Sequence, residues 1–228
     1  MKHTRYTLRA LAALLAYPDA QRRAQWPALV DVLKEEGALS RARLGELEAM
    51  VAQLRRIDPL ELESRYVETF DRGRSTCLHL FEHVHGDSRD RGPAMIDLAR
   101  TYGQAGLCLG PEELPDHLCV VLEFASTQPA EVARSFLDEM AHILNAIFSA
   151  LLQRQSPYAA VLAAVLDAAG HKAQAVAIAP EEPLDASWQE PEAFDGCSSR
   201  GQSRPGQPQP IHIVRKNAPQ AGREGVAA

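Results

Sequence analysis

The chain is poor in aromatic residues. Phe, Tyr and Trp together make up 6% of its 228 residues, so a core has to be assembled from Leu, Ala and Val. That composition favours helix over sheet. No stretch alternates apolar and polar residues for long enough to mark a strand. No run of about 18 apolar residues occurs, so no transmembrane helix is expected. Positive charge is not in excess. The net charge is −6 and the isoelectric point about 5.8, which argues against a nucleic-acid partner, whose phosphates need a basic face. The same balance gives no support for binding an anionic membrane surface. Cysteines are few: Cys77, Cys108, Cys119 and Cys197. None forms a C-x-x-C pair, so a zinc ribbon or thioredoxin-type site has no basis. Their wide spacing reads as reduced thiols in a cytoplasmic protein. Gly-rich phosphate loops are missing, and so is a G-x-S-x-G nucleophile elbow.

What is present is helical patterning. Lys2 and Arg5 ahead of Ala10–Ala16 loosely mimic a signal peptide, but Arg9 interrupts the apolar segment and no small-x-small site follows. Tyr6, Ala10, Ala13, Leu14 and Tyr17 fall at helical spacing instead, and Pro18 ends the pattern. A second helix is expected over about 24–36, burying Leu29, Val32 and Leu33. Ser40 can cap a third, with Leu44, Leu47, Val51 and Leu54 on one stripe. Asp58-Pro59-Leu60-Glu61 is a helix start, since Asp58 can accept from exposed amides and Pro59 has no amide to orphan. The helix that follows carries Leu62, Tyr66 and Phe70. Thr76 can cap a short helix bearing a histidine cluster, with Gly86 as its stop. Pro93 opens another, with Ile96, Ala99 and Tyr102 inside. Leu114–Leu118 leads into Val120, Val121, Leu122 and Phe124. A long helix is expected from about Pro129 to Leu152, and a last one from Ser156-Pro157 to Gly170.

These features predict an all-α, compact globular helical bundle over residues 1–170, followed by a flexible, Pro/Gly-rich C-terminal tail over 171–228. Arg200, Arg204, Arg215, Lys216 and Arg223 make the extreme C-terminal end basic, which leaves the rest of the chain more acidic than the average.

Two motifs invite chemistry. His79-Leu80-Phe81-Glu82-His83 matches the H-x-x-E-H pattern of an inverted zinc peptidase, with two histidines on one helix face and Glu82 as base. Catalytic zinc needs a third protein ligand, and only scattered candidates such as Glu112, Glu113 and Glu123 follow. A non-catalytic site from Cys77, His79, His83 and His85 meets a different obstacle. On a helix Cys77 and His79 point about 200° apart. Asp116-His117 could be two members of a catalytic triad, yet Asp116 is equally explained as an acid near a helix N-terminus. The residues by themselves reach no further than a helical protein whose apolar stripes, bordered by His and Asp, suit a peptide partner.

Two blocks carry more. One runs from Tyr66-Val67-Glu68-Thr69-Phe70-Asp71 through His79-Leu80-Phe81-Glu82-His83-Val84-His85-Gly86-Asp87 to Met95. The other is Glu113-Leu114-Pro115-Asp116-His117-Leu118 with Val121-Leu122-Glu123-Phe124. Together they resemble the NarJ family of nitrate reductase molybdenum cofactor assembly chaperones, within the wider group of redox-enzyme maturation chaperones. The likeness extends into the tail at Pro208–Val214. It implies an all-α fold and a non-enzymatic, cytoplasmic role, with no cofactor and no metal of its own. The implied partner is the apo catalytic subunit of nitrate reductase, held by its N-terminal segment until the molybdenum cofactor is inserted and membrane anchoring can proceed. Molybdenum cofactor biosynthesis proteins are further candidate partners. The resemblance implies that Leu80, Phe81, Asp116 and His117 line or border the peptide groove, with Tyr66, Phe70, His83 and His85 added from their positions. A small zinc-dependent hydrolase using His79, Glu82 and His83 is the alternative.

Overall fold

The computed structural model describes residues 4–86 and 88–177. Ten α-helices and one 3-10 turn make up the described residues: α1 (Arg5–Leu15), α2 (Ala20–Glu36), α3 (Arg41–Leu54), α4 (Pro59–Phe70), the turn Arg74–Thr76, α5 (Leu80–His85), α6 (Arg91–Gln104), α7 (Leu118–Thr127), α8 (Ala130–Glu139), α9 (Ala141–Gln153) and α10 (Ala159–Ala169). The expected all-α fold is the one observed.

α10 lies at the centre. Its sequence is apolar all round, the pattern of a helix buried on every side, and Val161, Leu162, Ala164 and Val165 have no exposed surface. It packs on α9, α1, α3 and α8. Its one acid, Asp167, is met by Arg43 Nε at 2.8 Å. α1 packs chiefly on α7 and α2, through Leu8, Leu11, Leu14 and Leu15. Tyr6 and Tyr17, at the ends of the helical spacing noted above, are exposed.

Several helix starts are fixed by side chains close in sequence. Asp19 accepts from Arg22 N, Ser40 from Arg43 N, and Asp58 from Leu60 N and Glu61 N. The start of α1 is fixed from a distance. Thr4 offers it no side-chain cap, and Glu36, at the far end of α2, accepts from Tyr6 N at 3.0 Å and Thr7 N at 2.6 Å.

Four expectations are corrected. α2 begins at Ala20, because Asp19 caps it, and runs through Pro27; Trp26, Val30 and Leu33 are its buried residues. α6 buries Leu98 and Tyr102, and Ile96 points outward at 62% exposure. The long helix over 129–152 is two helices bent by 66°. At Met140 the chain tightens to i→i−3 bonding, with Met140 N on Leu137 O and Ile143 N on Met140 O. The short helix over the histidine cluster starts at Leu80, so His79 stands just outside it in extended conformation.

After Gly170 the chain continues along α9. Gln174 N donates to Asn145 Oδ1 at 2.9 Å and Val176 N to Ser149 Oγ at 3.0 Å. The rest of the expected tail, including Pro208–Val214, lies outside the described residues. Among the described residues no single helix is long and apolar enough to cross a membrane.

Candidate functional site

The two sequence blocks meet at a short antiparallel bridge between His79 and His117. Leu80 N donates to Asp116 O at 3.0 Å and Leu118 N to Leu78 O at 2.8 Å. This pins the entry of α5 against the entry of α7.

Asp116 is fully buried beneath the bridge. Its Oδ2 accepts from Phe81 N at 3.2 Å, its Oδ1 lies 3.3 Å from His79 Nδ1, and Arg91 Nη2 stands 3.7 Å away. Burial alone would raise its pKa. His79, the Phe81 amide and Arg91 outweigh that and hold the carboxyl below its ordinary value. Asp116 thus serves the N-terminus of α5, whereas the sequence pointed to the helix that follows it.

That following helix, α7, is capped by His117, whose Nδ1 accepts from Cys119 N at 3.3 Å. Burial, then the neighbouring His79 ring, lower the His117 pKa to about 4. The ring is neutral at pH 7, and with Nδ1 accepting, its proton sits on Nε2. The rings of His79 and His117 meet edge to face at 5.0 Å.

The two-histidine helix face of the H-x-x-E-H reading does not form. His79 precedes the helix and turns to Asp116, while His83 Nε2 lies 2.8 Å from Cys77 O. Glu82 is occupied by the Cys77 thiol at 3.0 Å. Burial and that bond push the thiol up to about 12. Among the described residues no three His, Cys, Asp or Glu side chains are grouped to hold a metal ion.

Beside the bridge opens a cleft of about 550 Å³. Ala12, Ala13 and Ala16 of α1 and Cys119 and Val120 of α7 form its apolar floor, with Tyr17 and Tyr66 at one end. His79 and His117 face it. Asp71, Glu112, Glu113 and Glu123 stand around it against a single Arg22. A cleft so lined suits an apolar segment carrying positive charge.

The expected site residues divide by burial. His117 and Tyr66 line this cleft. Phe81, His83 and His85 are half-buried on the adjoining surface; Phe81 packs on Leu98, Tyr102 and Phe124 and meets the His85 ring at 5.5 Å. Leu80, Phe70 and Asp116 are buried and present no surface in this conformation. Phe70 sits instead in an aromatic cluster with Tyr66 and Tyr158. Sequence reasoning missed Tyr17, Arg22, Arg91 and the alanine floor. Ala12, Ala13 and Ala16 share a helix face by spacing, but nothing local says that this face is left open.

A family model described as nitrate reductase delta subunit matches residues 17–164. The nitrate reductase molybdenum cofactor assembly chaperone NarJ of Escherichia coli K12 is 37% identical over 201 residues, covering 82% of this chain and 85% of that one. The probable NarJ of Bacillus subtilis is 33% identical over 162 residues, covering 71% and 87%. A crystal structure of a redox enzyme maturation protein from Archaeoglobus fulgidus aligns with a TM-score of 0.51 at 21% identity, over 73% of this chain and 94% of that one. That last likeness speaks to the fold.

Proposed function

This chain belongs to the nitrate reductase delta subunit family, shared with the NarJ-type assembly chaperones, and on that footing we propose that it is a non-enzymatic chaperone for nitrate reductase. It binds the N-terminal segment of the apo catalytic subunit in the cytoplasm. It keeps that subunit open to molybdenum cofactor insertion and delays membrane anchoring until insertion is done. Molybdenum cofactor biosynthesis proteins are its further partners.

One observation carries this reading: the acid-rimmed, apolar-floored cleft beside the His79–His117 bridge. A partner segment laid there buries apolar side chains against the α1 alanines and Val120. Each fully buried one contributes about 1.5–3 kcal/mol before ordering costs. His117 offers its Nε2 proton to an acceptor on the segment. The rim carboxylates attract basic residues and set the orientation. Phe81, His83 and His85 extend the contact surface. Leu80, Phe70 and Asp116 act from behind, by holding α5 and α4 in place.

Calorimetric titration with the N-terminal peptide of the nitrate reductase catalytic subunit, against a scrambled peptide of equal composition, tests it. Saturable binding of the authentic peptide alone is expected. Equal binding of both, or of neither, would overturn the assignment.

A further inference from the structure

The cleft does not end at Val120. A second hollow of about 200 Å³ continues along α7, and Glu113, Val120 and Glu123 line both. Leu107, Leu109 and Phe124 form its apolar wall, and Thr127 and Arg9 stand at its end. Positions 120, 123, 124 and 127 share one face of α7 by helical spacing. At 1.5 Å per residue, Val120 to Thr127 covers roughly 10 Å.

The waist between the hollows is chemically distinct. Each hollow has one arginine, Arg22 or Arg9, and neither lines both. The shared residues are two acids and Val120. Glu113 is oriented by its own loop, since its Oε2 accepts from Gly110 N at 2.8 Å. Glu123 stands exposed on α7. A cation placed here meets two carboxylates, and its aliphatic stem can lie on Val120.

We propose that this groove selects its partner segment by an apolar–basic–apolar pattern. One large apolar side chain enters the far hollow against Leu109 and Phe124. A Lys or Arg sits at the waist between Glu113 and Glu123. A second apolar side chain enters the near cleft over the α1 alanines. The proposal rests on the partner-segment reading above and adds the rule the segment must satisfy. Apolar burial supplies affinity here, while the exposed charges act mainly on selection, because solvent-exposed ion pairs are individually weak.

The test uses the full chain, the N-terminal peptide of the catalytic subunit, and a peptide panel with each basic residue changed in turn to Glu. Two variants are compared with wild type: Glu123→Lys, which reverses the waist, and Thr127→Trp, which fills the far hollow. Both replaced side chains are exposed, and circular dichroism checks the helical content. The expected result is binding weakened by about tenfold or more in each variant, a loss typical of a disturbed interface anchor. One charge-reversed peptide should recover most of the loss with Glu123→Lys and none with Thr127→Trp. If Glu123→Lys loses its helical signal, Thr127→Trp decides. Wild-type binding with both variants within about twofold, well inside the tenfold that corresponds to 1.4 kcal/mol, would overturn this inference and leave the chaperone reading standing. No binding by wild type would overturn both.

Discussion

Asp116 caps a helix to which it does not belong: its Oδ2 accepts a hydrogen bond from the amide of Phe81, 35 positions earlier in the chain. The same carboxylate faces His79 and Arg91, so one buried group ties together α5, the bridge and the start of α6. Asp116→Ala would leave the Phe81 amide, His79 and Arg91 without their shared carboxylate. A loss of about 2–4 kcal/mol is expected in chemical denaturation. Asp116→Asn keeps one oxygen for the amide and should lose roughly half of that. A drop in partner binding without a drop in stability would show instead that Asp116 contacts the partner directly.

The pH dependence of stability should carry the mark of His117. Unfolded, the imidazole takes up a proton near its ordinary value of 6.5; folded, burial and then His79 hold protonation off to about 4. The unfolded state therefore binds more protons between these values, and stability falls as pH drops through that window. The contribution is intact above 6.5 and amounts to at most about 3 kcal/mol, less with solvent screening. Asp116, whose pKa is depressed, adds a further loss only as pH falls below the ordinary carboxylate range. His117→Gln should flatten the 6.5-to-4 slope in urea titrations run at several pH values; an unchanged slope would place the titrating group elsewhere.

Glu36 caps α1 from the end of α2. Glu36→Ala should cost about 1 kcal/mol, the usual size of a lost N-cap. Amide exchange at Tyr6 and Thr7 should quicken in step. An unchanged exchange rate at both would show that the cap does not hold in solution.

Two glycines should respond in opposite directions. Gly45 lies inside α3, and a methyl group there meets nothing within 4 Å, so Gly45→Ala should stabilise by about 0.5–1 kcal/mol. Gly170 ends α10 at φ +90°, and its added Cβ would run into the Arg134 guanidinium. Gly170→Ala should destabilise by about 1 kcal/mol or more. Thermal melts of the two variants, moving to either side of wild type, are the expected outcome.

The parts of the fold legible in the sequence are those written locally. Ser40 and Asp58 cap the amides two or three positions on, and Leu62, Tyr66 and Phe70 keep their stripe. The break at Met140 has no Gly or Pro to announce it; tertiary packing of α8 and α9 decides it. Ile96 and Leu98 are equally apolar, and only the neighbouring Phe124 and Tyr102 settle that Leu98 turns inward. The site divides in the same way. His117 and Tyr66 stood out in the sequence and line the cleft, whereas the placement of His79 outside α5 depends on an acid 37 positions away. The acid rim was visible only as scattered glutamates, because no periodicity in one segment records which side chains of another will face it.

The bridge between His79 and His117 has a kinetic consequence. Its two backbone bonds close a long loop, and such closure costs entropy that nothing local repays. The groove is therefore expected to form late, once α5, α6 and α7 have assembled around Asp116. Leu80 and Leu118, whose amides form the two bonds, should exchange with solvent as one unit. A molecule that has opened there would lose the proposed groove while most of its helices persist.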